Sequence, residues 1–142
     1  MTYLFILESP HTAEIKNNYP VAGSSGIEMT KFIYSSECND AFGKLVNYAD
    51  DYKDQYNGLN QFGIMNVSPA PMQKSALGNN ELLAREEKII HILEKLRVNY
   101  QARTHRNKEW NLVKEELINN FSNRLLNVLS SYGPKYLIPC GK

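Results

Sequence analysis

The chain has 142 residues, a length typical of one domain built around one hydrophobic core. Apolar residues make up 42% and charged residues 22%, which is ordinary for a globular protein, and the net charge of +1 excludes a strongly basic protein. Nucleic-acid binding would therefore require a local basic patch. No apolar run is long enough to cross a bilayer and no basic leader precedes the first one, so we expect a single cytoplasmic domain, residues 1–142, that makes no membrane contact.

An apolar run, Tyr3–Leu7, opens the chain and is apolar on both faces, which is typical of a strand in the middle of a parallel sheet. The run stops at a carboxylate, a hydroxyl, a proline and an imidazole: Glu8, Ser9, Pro10 and His11. Open α/β sheets bind their ligands at the carboxyl ends of the strands. We therefore expect the functional site to begin at this turn.

The next segments alternate between predicted connections and short helices. A long connection is predicted from Ser9 to Gly26, and Ser24 or Ser25 is expected to cap a helix that starts at Gly26 or Ile27. A second helix is predicted over about 40–48, followed by a polar loop over 50–60. The residues expected on the buried side of the first of these helices are Ile27, Met29, Phe32 and Ile33.

The second half of the chain contains two further predicted strands and two long predicted helices. The strands are expected over 61–67 and 136–140, and the helices over 81–98 and 108–130. The order of elements favours a three-layer α/β/α domain with a short, mainly parallel sheet. The first long helix is expected to bury an apolar stripe consisting of Leu82, Leu83, Ile89, Ile90, Leu93 and Leu96.

Polar residues end all three predicted strands, at 8–11, 66–69 and 140–142, and a parallel sheet would bring them to one edge. Glu8 is a candidate general base, or alternatively a residue that caps a helix N-terminus. The amide of Asn66 carries a donor and an acceptor, so it can read a base edge such as the O4 and N3–H groups of uracil. The alternative for Asn66 is a local turn leading into Ser68.

A basic segment separates the two long helices. It contains Arg97, Arg103, Arg106 and Lys108, with Trp110 close by, and this mixture of cations and aromatics suits a surface that tracks phosphates. A solvated loop between helices explains it equally well. The two cysteines, Cys38 and Cys140, have no metal-binding spacing, so we predict neither a metal site nor a cofactor.

Several short motifs, in this order, resemble those of the uracil-DNA glycosylase superfamily. Leu7–Glu14 is similar to the GEAPGxxE motif of its thermophilic-type branch, and Pro20–Gly26 is similar to the PFVGxxG segment that follows. Met65–Val67 matches a strand ending in TNV, and Cys140–Lys142 is similar to a later G-K turn. The resemblance covers nearly the whole chain and implies a glycosylase-like α/β fold that acts on or binds a flipped base in DNA.

The resemblance also implies roles for individual residues. Glu8 would place or activate the water that attacks the sugar, and Asn66 would read the base edge. The stacking phenylalanine of the family is replaced by Val21-Ala22, the four cysteines of its cluster are absent, and the chain stops before its histidine motif. We therefore expect either a piece lacking that section or a minimal relative with lost or changed chemistry. The residues expected to bind the substrate are Ser9, Pro10, His11, Glu14, Val21, Gly23, Ser24 and Ser68.

Two other functions remain open from the sequence. The same fold could serve as a non-catalytic module that binds nucleic acid or a nucleotide. Leu4–Lys16 also resembles the opening of the Toprim domain of type IA topoisomerases, which holds magnesium through a glutamate and a later D-x-D motif. The acidic cluster at Asp50, Asp51 and Asp54 lacks that motif.

Overall fold

A computed structural model describes residues 1–35, 37–78 and 81–141. Groups of consecutive helices separate the strands, and two 3₁₀ turns, Leu59–Gln61 and Lys74–Leu77, flank the second strand. In chain order, the elements are β1 (Tyr3–Leu7), α1 (Thr12–Asn17), α2 (Ser24–Tyr34), α3 (Phe42–Asn47), α4 (Ala49–Tyr52), β2 (Phe62–Asn66), α5 (Ala84–Val98), α6 (Lys108–Tyr132) and β3 (Tyr136–Pro139).

The three strands form a parallel sheet in the order β2-β1-β3, so the expected α/β class and the central position of the first strand are confirmed. Tyr3 pairs in register with Phe62 on one side and with Tyr136 on the other. The Tyr3 ring stacks on both, with centroid separations of 5.6 Å and 5.4 Å. An aromatic row therefore crosses the amino-terminal end of the sheet, opposite the edge that carries the polar turns.

The helix α3 packs its Phe42 ring against the sheet. This fully buried ring meets Phe5 and Phe62 edge to face, with centroids 5.8 Å and 5.2 Å apart. One turn further along, α3 contributes Leu45 to a small core that it shares with Tyr56 and Leu59. The helix predicted over 40–48 is confirmed in a shorter form.

A second core lies between α5, α6 and the segment that follows β2. Its buried residues come from Met72 and from α5, and Trp110, Val113 and Leu117 of α6 pack against them. The predicted stripe on α5 is confirmed at Ile90, Leu93 and Leu96 but is wrong at two positions. The helix begins at Ala84 rather than at residue 81, which leaves Leu83 outside it and exposed, and Ile89 faces solvent while Ile92 is buried instead.

The helix α6 has the clearest sequence signals at both of its ends, and its prediction is confirmed. Asn107 caps the N-terminus by accepting a hydrogen bond from the Glu109 amide at 2.9 Å. Gly133 ends the helix in the left-handed region, with φ of 52°, which a residue with a side chain adopts less readily.

The first half of the chain differs from the prediction in three places. The connection predicted from Ser9 contains the helix α1, and the helix α4 overlaps the start of the loop predicted over 50–60. The helix α2 starts at Ser24 with Gly23 as its cap, so neither Ser24 nor Ser25 caps it. These helices are short, and their positions depend on tertiary contacts rather than on a hydrophobic period.

Phe32 was predicted to be buried and is instead 89% exposed. The helix α2 packs through Gly26 and Thr30, which are four residues apart and lie on one face. Phe32 follows Thr30 by two residues, which places it on the opposite face of the helix. Across the described part of the chain, no helix has both the length and the apolar character needed to cross a membrane.

Candidate functional site

The polar ends of the three strands meet at one edge of the sheet. Beyond the last strand pairs, the Val67 amide donates to the Leu7 carbonyl at 2.8 Å and the Ser68 amide donates to the Glu8 carbonyl at 2.9 Å. On the other side of β1, the Cys140 amide donates to the Ile6 carbonyl at 2.7 Å. The predicted convergence is therefore present in the backbone; Lys142, which belongs to the third motif, lies outside the described residues.

Glu8 forms an ion pair with Arg97, which lies in the last turn of α5. The Nε atom of Arg97 is 2.6 Å from Oε1 of Glu8, and the side chains are 39% and 44% exposed. The candidate base and the first residue of the predicted basic segment therefore touch each other. Because the carboxylate is also open to solvent on one side, it can still contact water or a ligand.

Asn66 is the last residue of β2 and pairs in register with Leu7. Its Oδ1 atom is buried and accepts no hydrogen bond from the described residues. A buried acceptor without a donor destabilises a protein by about 1–3 kcal/mol, so such groups often mark functional positions. The residue is thus held next to the Glu8 turn with an unused acceptor.

Arg124 of α6 holds the backbone around Asn66. Its terminal nitrogens donate to the carbonyls of Asn66 and Val67, at 2.8 Å and 2.5 Å, and its Nε donates to Oδ1 of Asn120 at 2.7 Å. The guanidinium also lies over the Phe121 ring, 5.9 Å from its centroid. Burial lowers the pKa of Arg124, and no carboxylate pairs with it among the described residues.

The turn after β1 is followed by α1 and is organised by Glu14. One carboxylate oxygen of Glu14 accepts from the His11 amide and the other from the Val21 amide, both at 2.7 Å. Ser9 and Pro10 are half-buried between β1 and α1, and His11 is the exposed cap of α1. Glu14 therefore joins the two predicted substrate-binding segments through backbone contacts.

Val21 is buried and has a φ of 55°, which is strained for a β-branched residue. Its carbonyl lies so close to α2 that a Cβ added at Gly26 would be 2.0 Å away, and a Cβ added at Gly43 would be 1.6 Å from the Pro20 carbonyl. Both helices therefore need glycine where they meet this turn. Packing from α2 and α3, together with Glu14, over-determines the strained conformation.

The other predicted substrate-binding residues occupy different environments. Gly23 approaches Ala13 of α1, since an added Cβ would be 3.4 Å from the Ala13 Cβ. Ser24 is exposed on α2, beside an open groove that Met29 and Phe32 also line. Ser68 is buried, and its hydroxyl donates to the Ala70 carbonyl at 2.6 Å, so it shapes the turn after β2.

The basic segment begins at Arg97, beside the strand-end edge, and forms an ordered connection between α5 and α6. Asn111 holds the backbone of His105 with two hydrogen bonds of 2.8 Å, and the Lys114 ammonium donates to the carbonyls of Ala102 and Arg103. The predicted phosphate-binding side chains that follow Arg97 are exposed and form no ion pairs with the described residues; they are Arg103, Arg106 and Lys108.

Burial raises the pKa of the Cys140 thiol at the end of β3, so the neutral form is favoured there. Within the described ranges, no three histidine, cysteine, aspartate or glutamate side chains group together in a way that could hold a metal ion. A cavity of about 420 Å³ lies beside β2, lined by Met1, Pro20, Phe62 and Tyr132 among others. Neither Glu8 nor Asn66 lines this cavity.

The sequence interpretation missed Arg124. A recognisable signal was available, since Phe121, Leu125 and Val128 share one side of α6 and Arg124 lies among them at helical spacing. A cation on an otherwise apolar helix face needs a partner where it is buried. The site therefore combines Glu8 with Arg97, and Asn66 with Arg124.

No protein-family model, no curated protein and no solved structure matches this chain.

Proposed function

We propose that this chain is a uracil-DNA glycosylase-like protein that recognises uracil or a related base in DNA and excises it. The proposal includes the finer fold, a three-layer α/β/α domain of the glycosylase type. The observation that supports it most is the unused buried acceptor of Asn66, held beside the turn that carries Glu8. The order of the sequence motifs around those two residues supports it independently.

In the proposed reaction, the base is flipped out of the stack and its edge meets Asn66. The amide turns towards the strand-end opening, where Oδ1 accepts the N3–H of uracil and Nδ2 donates to O4. A water molecule near Glu8 gives a proton to the carboxylate while its oxygen forms a bond to the sugar C1′. The C1′–N1 bond breaks, and the base leaves with the electron pair and takes a proton from solvent.

Arg124 has a positioning role in this proposal. By donating to the carbonyls of Asn66 and Val67, it fixes the backbone from which the reading amide projects. No carboxylate of the described residues pairs with Arg124, so its charge would also favour negative charge on the departing base, since a cation in a partly buried site acts more strongly than in water.

Release of free uracil tests the proposal directly. The protein is incubated with single-stranded and double-stranded oligonucleotides containing one uracil, and free base and alkali-cleaved product are both measured. Glu8→Gln and Asn66→Ala should each lower the rate by about 100-fold or more, as expected for the loss of an acid–base group or a reading contact. Glu115→Gln and Asn119→Ala change the same side-chain types on the exposed surface of α6 and should leave the rate unchanged.

A second function, a module that binds nucleic acid without cutting it, is favoured by the ion pair between Glu8 and Arg97. The Nε atom of Arg97 lies 2.6 Å from Oε1 of Glu8, so this carboxylate oxygen already has a cationic partner and is less available to activate a water molecule. This module would bind oligonucleotides with a salt-dependent affinity, release no uracil and retain affinity in Glu8→Gln. Absence of both uracil release and low-salt binding would contradict both functions.

A further inference from the structure

We propose that the guanidinium of Arg97 is a phosphate subsite that is electrostatically coupled to Glu8. The Arg97 side chain would then contact both the nucleic-acid backbone and the carboxylate that is the candidate general base. This subsite rests on the proposed nucleic-acid function, because its ligand is a phosphodiester of the bound strand. It adds to that function a specific contact and a coupling between strand binding and the candidate catalytic carboxylate.

The geometry of Arg97 supports this assignment. Its Nε atom faces Glu8 at 2.6 Å, while the terminal nitrogens form no hydrogen bonds with the described residues. A guanidinium presents its donors as a planar fork, and the edge away from Glu8 matches the two oxygens of a phosphate. With 39% of its side chain exposed, Arg97 is accessible to a ligand from solution.

Further cations follow Arg97 along the chain. Arg97 lies in the last turn of α5, and the segment that follows carries Arg103, Arg106 and Lys108, all exposed and without ion pairs among the described residues. By contrast, Lys74 and Lys88, which lie beside and on α5, are paired with Glu87 and Glu109. The unpaired cations thus continue from the subsite into the connection between α5 and α6.

The ion pair contributes little to the stability of the fold. Both partners are more than one-third exposed, and exposed pairs contribute little because water and salt screen them. Its consequence is electrostatic and local: Glu8 offsets part of the charge that Arg97 presents to a phosphate. Removing the Glu8 charge should therefore strengthen phosphate binding through Arg97, in addition to relieving the direct repulsion between carboxylate and phosphate, which does not depend on Arg97.

A double-mutant cycle in binding tests the coupling. The affinity for a short oligothymidylate, which contains no uracil, is measured by fluorescence anisotropy for the parent, Glu8→Gln, Arg97→Gln and the double variant over a range of salt concentrations. Arg97→Gln should weaken binding and reduce the slope of log K against log salt by about 0.7. Glu8→Gln should tighten binding by about two- to five-fold more in the parent than in the Arg97→Gln background.

Additive effects of the two substitutions, an unchanged salt slope in Arg97→Gln, or no oligothymidylate binding at low salt would each overturn the subsite. Inorganic phosphate at matched ionic strength should fail to displace the oligonucleotide; displacement would overturn the phosphodiester assignment. Arg97→Lys keeps the charge and should retain the salt slope, which separates loss of the contact from misfolding. Failure of uracil release affects the proposed excision alone, because the oligothymidylate assay needs no cleavage.

Discussion

Replacing Arg124 with methionine removes the clamp on the Asn66 backbone and keeps most of the apolar stem of the side chain. The variant loses hydrogen bonds to the carbonyls of Asn66 and Val67 and to the side chain of Asn120. The methionine side chain can still pack on Phe121. The change therefore tests the polar contacts with little loss of packing.

The magnitude follows from the two backbone contacts. Hydrogen bonds from a charged donor contribute about 1.5–3 kcal/mol each, so the pair contributes about 3–6 kcal/mol before desolvation. Burial, which lowers the pKa of Arg124, shows that the charged form is partly desolvated, and this offsets part of the gain. We expect Arg124→Met to lower the free energy of unfolding by about 2–3 kcal/mol.

Urea unfolding followed by far-UV circular dichroism measures this change, and Trp110 fluorescence reports independently on α6. Arg124→Lys keeps a charge but lacks the planar fork, so it should lose about half as much. Arg106→Met is a matched control, because Arg106 is exposed and makes no ion pair with the described residues. An Arg124→Met variant as stable as the Arg106→Met variant would refute the clamp.

Two further predictions concern the Val21 turn and Cys140. Gly43→Ala places a Cβ 1.6 Å from the Pro20 carbonyl oxygen and should lower the free energy of unfolding by more than about 3 kcal/mol. The control Gly23→Ala, whose added Cβ has its nearest contact at 3.4 Å, should change the free energy of unfolding by less than about 1 kcal/mol. Equal urea midpoints for the two variants would contradict the close approach at Gly43. Burial raises the pKa of Cys140, so the unfolded chain loses the thiol proton first, and stability present below about pH 8.5 should decline as the pH rises. Urea midpoints should fall less steeply with pH in Cys140→Ala, and parallel curves for parent and variant would contradict this assignment.

The agreement between sequence and structure is good where the signal is local. Tyr3–Leu7 is apolar on both faces, which is typical of a central strand in a parallel sheet, and this is why its central place could be predicted, although only Leu4 of the strand is fully buried. The helix α6 has a capping asparagine before it and a glycine after it, so its limits were predictable too. Short elements such as α1 and α4 lack a full hydrophobic period and were missed.

The candidate site likewise has a local part that the sequence predicted and a non-local part that it did not. The sequence by itself determined which residues follow each strand, and parallel strands bring such residues to one edge, so the meeting of Glu8 with the Asn66 turn could be predicted. Only the tertiary structure decided which cations face them. Arg97 and Arg124 lie far along the chain on separate helices, and their partners depend on how α5 and α6 pack. Helix packing is a property of whole surfaces, whereas a strand end is a property of a few adjacent residues.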